Sequence, residues 1–400
     1  MIGAPLAGVR VLDFCWIGAG ALVTKTLAEL GASVYRIESR SHPDNLRLAP
    51  PFRPGTEGIE ASGYFASRNS SKQSVALNMK TDKGRELAVE LVGKVDIVTS
   101  NFRPGIMERW GLGYKEVRER NPSVIYLTMP MQGESGPHAS FVGFGSTIAA
   151  LAGLVDLSAV PGRSPVGTGT HYPDHVPNPG HALVALLAAI RHRRRTGEGQ
   201  RIEVAQFEST VNVIGPAIVA AGLGATPIAT GNRSRTSIPH AAFRCRDEQW
   251  IVLSCETDSQ WSALISALGL PYIERRSSIA GRRADEDSIE SDLRSAIGRL
   301  DRSKLIELLD RAKVPNAPVN SSRDIVEDAG LWKRGFWRDV EHPVIGHIPI
   351  SRSPFRLVDG PQPEVIRPPL LGENTFEVLH DQLGMSQEDY VQLVEERVLY

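Results

Sequence analysis

The chain reads as an α/β protein: a parallel sheet wound with helices, followed by a smaller α+β domain. Two observations predict it. Through Thr128, short apolar runs bounded by turn residues alternate with segments of helical periodicity. Strands separated by helices of roughly 10–15 residues need crossover connections, and so pair in parallel. Beyond that point the alternation gives way to one long helical segment, then a hairpin and charged helices, which is the signature of segregated elements.

The first strand is Val-Arg-Val-Leu-Asp-Phe at 9–14. A turn at Gly18-Ala19-Gly20 follows, then a helix through Leu30 closed by Gly31, and a second strand at Ser33–Glu38. The unit repeats as a strand at Ser74–Leu77, a helix at Thr81–Val92, a strand at Val95–Thr99, a helix at Gly105–Trp110 and a strand at Val124–Thr128. From Pro179 to Arg195 the pattern is one long helix. Pro177 and Pro179 suit its start, where backbone N–H groups need no partner, and Gly197 suits its stop. The basic run Arg191–Arg195 then opposes the negative end of the helix dipole, with phosphate binding as the alternative reading. Gly222–Thr236 reads as a crossing segment. Ala242–Glu256 reads as a hairpin turning at Arg246-Asp247-Glu248, and helices near Asp258–Leu268 and Ser288–Lys313 complete a small α+β domain over 225–330. The stretch from His342 to about Leu371 is proline-rich and reads as extended, with helices after it at Asn374–Leu383 and Gln387–Val398.

Composition excludes several function classes. Lys and Arg number 45 against 46 Asp and Glu, so the net basic face of a nucleic-acid binder is missing, although a local pocket for an anionic small molecule stays open. Hydrophobic residues at 41% and charged residues at 23% exclude wholesale disorder. Cys15, Cys245 and Cys255 have no CxxC spacing and make no disulfide framework. Met1–Pro5 lacks the basic and apolar regions of a signal peptide, and the apolar stretches Phe141–Val155 and Val211–Ala225 are too short and glycine-broken to span a bilayer. The expectation is a cytoplasmic enzyme with no membrane and no nucleic-acid partner.

Three motifs invite functional readings. Gly18-x-Gly20 with Glu38 further on imitates a dinucleotide fingerprint. However, Val23 holds the third glycine position, and Cys15-Trp16-Ile17 separate strand from turn, which argues against an NAD site. His171, His175 and His181 with Asp174 are metal-ligand types, but Pro173 and Pro177 keep His171 and His175 off one helix face, so no metal is expected. The remaining reading of Asp174 is a carboxylate on a proline-fixed loop before a helix, either a cap or surface group or a nucleophile held in attack geometry.

Taken together, several segments resemble the family III CoA-transferases, the CaiB/BaiF family. They are Pro5–Phe14, Leu27–Glu38, Asn69–Ser74, Lys80–Gly84, Asn101–Gly105, Thr196–Ala205 and Pro369–Asn374, in family order over nearly the whole chain. The resemblance implies a Rossmann-like large domain built from 1–210 and from a C-terminal segment, 335–400, that returns to it. It also implies an intertwined homodimer, with a heteromer containing a paralogous chain as the alternative. No tightly bound cofactor is expected, since coenzyme A enters as a thioester substrate.

The resemblance makes Asp174 the catalytic nucleophile of a ping-pong CoA transfer from a donor acyl-CoA to a carboxylic acid, through an aspartyl mixed anhydride and an aspartyl-CoA thioester. It assigns CoA binding to Ile17, Gly18, Arg40, Lys72, Asn101, Phe102 and Arg109, with Arg40 and Lys72 meeting phosphates and Phe102 packing on apolar or aromatic surface. Relatives often carry a basic residue directly after the strand-ending Glu, where Ser39 stands here. The Tyr-Pro-Asp-His-Val-Pro-Asn-Pro loop looks most like members acting on bulky or aromatic acids, such as succinyl-CoA:benzylsuccinate CoA-transferase, which makes succinyl-CoA the expected donor. Gly231–Thr236 stands where formyl-CoA transferase has a polyglycine lid, which argues against the formyl/oxalate pair. The alternatives are an acyl-CoA racemase or isomerase and a CoA-binding subunit. Phe141–Thr147 lacks the His-Asp pair of the related racemases, and the presence of Asp174 argues against a purely supporting subunit. Arg233 and Arg235 are candidates for a substrate's second carboxylate.

Overall fold

The computed structural model describes residues 3–226, 228–362 and 364–400. They fall into two compact units. The larger holds residues 3–155, 167–225, 330–362 and 364–400; the smaller holds 156–166, 226 and 228–329.

The larger unit is organised on six parallel strands: β1 (Arg10–Phe14), β2 (Ser33–Glu38), β3 (Gln73–Ala76), β4 (Ile97–Ser100), β5 (Ile125–Thr128) and β6 (Arg201–Glu203), in the order β3-β2-β1-β4-β5-β6. Strand alternation sends neighbouring side chains to opposite faces, so the sheet has two cores. Val11, Val34, Ile97 and Ile125 meet the helices Ala19–Glu29 and Pro177–Thr196 through Val23, Leu27, Leu186 and Ile190. On the other face Leu12, Tyr35, Val98 and Tyr126 meet the helices Asp82–Val92, Thr375–Leu383 and Gln387–Glu395 through Leu87, Leu91, Leu379 and Leu393. Both chain ends therefore build this unit. The C-terminal return is fastened to β3, where the Gly372 N–H donates to Ser74 Oγ at 2.8 Å and the Ala76 N–H to Thr375 Oγ1 at 2.8 Å.

The smaller unit has an antiparallel sheet of β7 (His240–Arg244), β8 (Trp250–Ser254) and β9 (Asn316–Pro318). Phe243, Ile251 and Leu253 pack on Trp261, Leu264, Leu293 and Leu309 of its helices. The expected single helix over Ser288–Lys313 is two helices, Glu286–Ile297 and Arg302–Arg311. Gly298 ends the first, and Asp301 adopts the extended conformation of an N-cap for the second.

A second correction concerns the tail. The expected extended stretch begins at His342, but β10 (Trp337–His342) before it and β11 (Gly346–Ser351) inside it form an antiparallel hairpin. His342 Nδ1 accepts the N–H groups of Val344 and Ile345 at 3.2 Å each, so the side chain closes the turn. Pro349 is tolerated because a two-stranded ribbon is all edge.

Candidate functional site

The sheet order places a topological switch point between β1 and β4, and ligands of open α/β sheets bind in the crevice outside the strand C-termini at such a point. A cleft of about 720 Å³ lies there, walled by Trp16–Ala19 after β1 and Asn101–Pro104 after β4, with Phe141–Phe144, Gln206 and Asp174.

Asp174 sits in a one-turn helix, Tyr172–His175, between two prolines. Pro173 pre-sets its first turn, and Pro177 starts the next helix after a break at Val176. The residue is 6% exposed. Its Oδ2 accepts the N–H of Gly145, the first residue of the helix Gly145–Leu151, at 3.1 Å. Burial raises the carboxyl pKa above the ordinary aspartate value, opposed by the Gly145 N–H, His171 and Arg68. Two glycines press on it. A β-carbon on Gly145 would stand 2.7 Å from Asp174 Oδ2, and one on Gly18 would stand 2.8 Å from Asp174 Cβ. His175, half-buried and beside Arg68, has its pKa held down to about 4 and stays neutral at physiological pH. The long helix is tied to the sheet below, because Asn178 donates to Gln206 Oε1 at 3.1 Å and Gln206 Nε2 donates to the Met129 carbonyl at 2.7 Å.

The loop from Cys15 to Ile17 is clamped from both sides. Asn101 Oδ1 accepts the Trp16 N–H at 2.9 Å and Asn101 Nδ2 donates to the Trp16 carbonyl at 2.6 Å. Arg36 donates to the Cys15 carbonyl at 2.6 Å and to Asp44, whose Oδ2 also accepts the Ile17 N–H at 3.1 Å. Ile17 is held at φ 63, a conformation that β-branched residues rarely adopt.

A second cleft, also about 720 Å³, shares Trp16 and Phe102 with the first and extends over Phe14, Ser39, His42, Met79, Lys80 and Trp110. Its aromatic row is continuous: Trp16 lies 5.5 Å from His42 and 5.3 Å from Phe102, and Phe102 lies 5.5 Å from Trp110.

The structure thus brings together Ile17, Gly18, Asn101, Phe102 and Asp174. Arg40 is exposed beside the second cleft, its N–H bonded to the Tyr400 carbonyl at 3.0 Å, and its flanking serines, not Arg40, line the wall. Arg109 is exposed at the end of the helix Ile106–Arg109, and its neighbours Ile106 and Trp110 supply the wall.

Lys72 corrects the sequence reading. It is buried, with its Nζ 3.2 Å from Asp13 Oδ2 and 3.0 Å from Asn69 Oδ1, and burial lowers its pKa to about 8. Its ammonium balances a buried carboxylate that also accepts from Thr24, Thr99 and the Cys15 N–H, so no phosphate reaches it. The exposed Lys80 lines the second cleft instead. Lys80 opens the Lys-Thr-Asp-Lys-Gly segment that carries part of the family resemblance. Arg233 is already bonded to Asp287 and Glu290 within the smaller unit. Glu38, the acidic position of the imitated fingerprint, is buried in a bidentate pair with Arg47 at 2.9 and 2.7 Å. Among the described residues no cluster of three or more His, Cys, Asp or Glu side chains is placed to hold a metal ion, and no helix is long and apolar enough to cross a membrane.

A doubly wound sheet with a buried carboxylate at its switch-point crevice places the chain among α/β proteins with a ligand crevice at the strand C-termini. The model of CoA-transferase family III matches residues 6–375, and the chain belongs to that family. It is 31% identical over 404 residues to the succinyl-CoA–L-malate CoA-transferase alpha subunit of Chloroflexus aurantiacus, covering 99% of this chain and 92% of that one. It is 32% identical over 388 residues to the succinyl-CoA:mesaconate CoA-transferase of Haloarcula marismortui, covering 95% and 96%. The crystal structure of a CaiB/BaiF family protein from Brucella suis superposes with a TM-score of 0.88 at 29% identity, covering 95% of this chain and 99% of that one. The chain is a transferase that acts on CoA thioesters.

Proposed function

We propose that the chain moves CoA from succinyl-CoA to a carboxylic acid by a ping-pong route through Asp174. The observation that carries the reading is the Asp174 carboxylate itself, 6% exposed at the end of the switch-point cleft with one oxygen on the Gly145 N–H. Burial strips water from a carboxylate and leaves it more nucleophilic than a solvated one. The Asp174 carboxylate attacks the thioester carbonyl and expels CoA thiolate, giving a mixed anhydride. The thiolate attacks the aspartyl carbonyl carbon and releases the donor acid, leaving an aspartyl-CoA thioester. An incoming carboxylate repeats the two steps in reverse, and the new acyl-CoA leaves with Asp174 free. A thioester is exchanged for a thioester, so no ATP is consumed.

Gly145 has a specific part in this route. Its N–H holds the oxygen that becomes the aspartyl carbonyl and then, on attack, an oxyanion, where a preorganised donor contributes most. The second cleft suits the nucleotide of CoA, with the aromatic row for the adenine and Lys80 for a phosphate, and Trp16 and Phe102 lead from there to Asp174. Two relatives named for succinyl-CoA support that donor. The working assembly in this reading is an intertwined homodimer in the cytoplasm. Because one relative is named as an alpha subunit, full activity of the chain purified alone is the check on an obligate partner.

The deciding experiment is peptide mass spectrometry after incubation with succinyl-CoA and then hydroxylamine. An acyl-CoA-dependent CoA adduct or hydroxamate on the Asp174 peptide is expected. Full transfer activity in Asp174→Ala would rule the mechanism out.

A further inference from the structure

Arg68 lies near the Asp174 carboxylate and favours its charged form, but among the described residues it makes no ion pair. It lies at the end of the helix Gly63–Asn69, its NH2 3.3 Å from both ring nitrogens of His175 and its guanidinium carbon 5.5 Å from the Tyr64 ring centroid. Among the described residues no carboxylate comes within ion-pair distance of it, and its Nε is buried with no hydrogen-bond partner. The buried guanidiniums of Arg36, Arg47, Arg276 and Arg282 are matched by Asp44, Glu38, Asp285 and Asp258, whereas the buried Arg352 has Gln362 as its side-chain partner. A second donor site is orphaned beside Asp174 as well. His171 Nδ1 is buried without a partner, and its Cβ would stand 2.9 Å from a β-carbon on Gly145.

A half-buried guanidinium with its Nε unpartnered and no ion pair, and a buried ring nitrogen with no partner, carry a cost that an arriving anion offsets. The reacting carbonyl belongs in the cleft that ends on Asp174, and Arg68 is not among the residues walling that cleft. An anion held by Arg68 therefore sits apart from the wall that meets the reacting carbonyl.

We infer that Arg68, with His171 beside it, is the specificity site that receives the far carboxylate of a dicarboxylic acyl group or acid. The inference rests on the CoA-transfer reading and names the substrate class of the same site. It also replaces Arg233, whose guanidinium is already taken by Asp287 and Glu290.

The test is calorimetric titration of the CoA-loaded protein with succinate, glutarate and butyrate, in wild type, Arg68→Gln and Arg68→Lys. Wild type should bind the two dicarboxylates about 30-fold more tightly than butyrate, in line with one charge-assisted bidentate contact. Arg68→Gln should bring that ratio close to one, and Arg68→Lys should restore part of it. A merely structural role would weaken all three acids together. A wild type with no preference, or an undiminished ratio in Arg68→Gln, overturns the inference. Should Arg68→Gln fail to fold, wild type still decides. Succinate, unlike butyrate, should protect Arg68 from phenylglyoxal in peptide mass spectra, and equal labelling with both acids refutes the assignment. The Asp174 adduct on the same preparations separates the two readings. An adduct without dicarboxylate preference sinks the Arg68 assignment alone, and preference without an adduct sinks the transfer mechanism alone.

Discussion

A β-carbon on Gly18 would lie 2.8 Å from the Cβ of Asp174 and 3.1 Å from its carboxyl carbon. Packed carbons do not approach so closely, so the absent side chain at position 18 is what lets the carboxylate stand where it does. The backbone of Gly18 has φ −87, which any residue adopts, so alanine is excluded by space alone. Gly18→Ala should displace Asp174 and lower kcat by about 100-fold, the scale of an ångström-sized misplacement of a reacting group. Overpacking should cost about 1–3 kcal/mol of stability. Steady-state kinetics with a denaturation curve test this, and an unchanged kcat would show that Asp174 has room to spare.

The burial that activates Asp174 also destabilises the fold when the group is ionised. Its folded pKa lies above the unfolded value of 3.8, so its contribution is unfavourable above that pH and grows until the folded pKa is passed. Asp174→Asn should therefore raise stability at neutral pH by on the order of 1 kcal/mol, as removal of a strained functional group commonly does. The gain should shrink as the pH falls toward 4. Melting temperatures of both proteins from pH 4 to 8 measure it, and a constant difference across that range would contradict the origin assigned here.

The legible part of the molecule was the part governed by periodicity. The strands at 10–14 and 33–38 and the helix after Pro177 follow from local patterns, because a half-buried strand or amphipathic helix writes its burial into its spacing. The hairpin at 337–351 was hidden because Pro343 and Pro349 argue locally against strand, and a histidine side chain closes its turn. The misassigned Lys72 has the same physical cause. A lysine that balances a buried aspartate 59 positions away looks in sequence like one that meets a phosphate, since the partner is set by tertiary contact. Arg68 carried no sequence signal at all, because its place beside Asp174 and His175 is set by tertiary contact.

Lys72 and Lys80 should separate cleanly in function. Lys72→Met leaves Asp13 buried and short of its counter-ion, which should cost about 3–5 kcal/mol, seen in urea unfolding. Lys80→Ala touches an exposed side chain on the rim of the second cleft, so stability should hold within about 0.5 kcal/mol. Its KM for acyl-CoA should rise roughly tenfold, as expected for one phosphate contact. A Lys80 variant with normal KM would move the nucleotide out of that cleft.

Asp44 connects the buried charge network to the site. One of its carboxylate oxygens accepts from Arg36 and from the Ile17 N–H at 3.1 Å, and the other accepts the Leu46 N–H at 2.9 Å. Asp44→Ala strands the Arg36 guanidinium in the interior and releases a residue held at φ 63, so both stability and site geometry should suffer. The stability loss should be about 3–5 kcal/mol. The released loop also carries Trp16, which is shared by both clefts, so KM for acyl-CoA should rise and Trp16 fluorescence should shift toward that of a solvated indole. Asp44→Asn keeps acceptor oxygen for one of these N–H groups and should fall between the two in both readouts. If stability falls while KM and the Trp16 signal stay at wild-type values, Asn101 alone holds the loop and the Arg36–Asp44 pair serves only the scaffold.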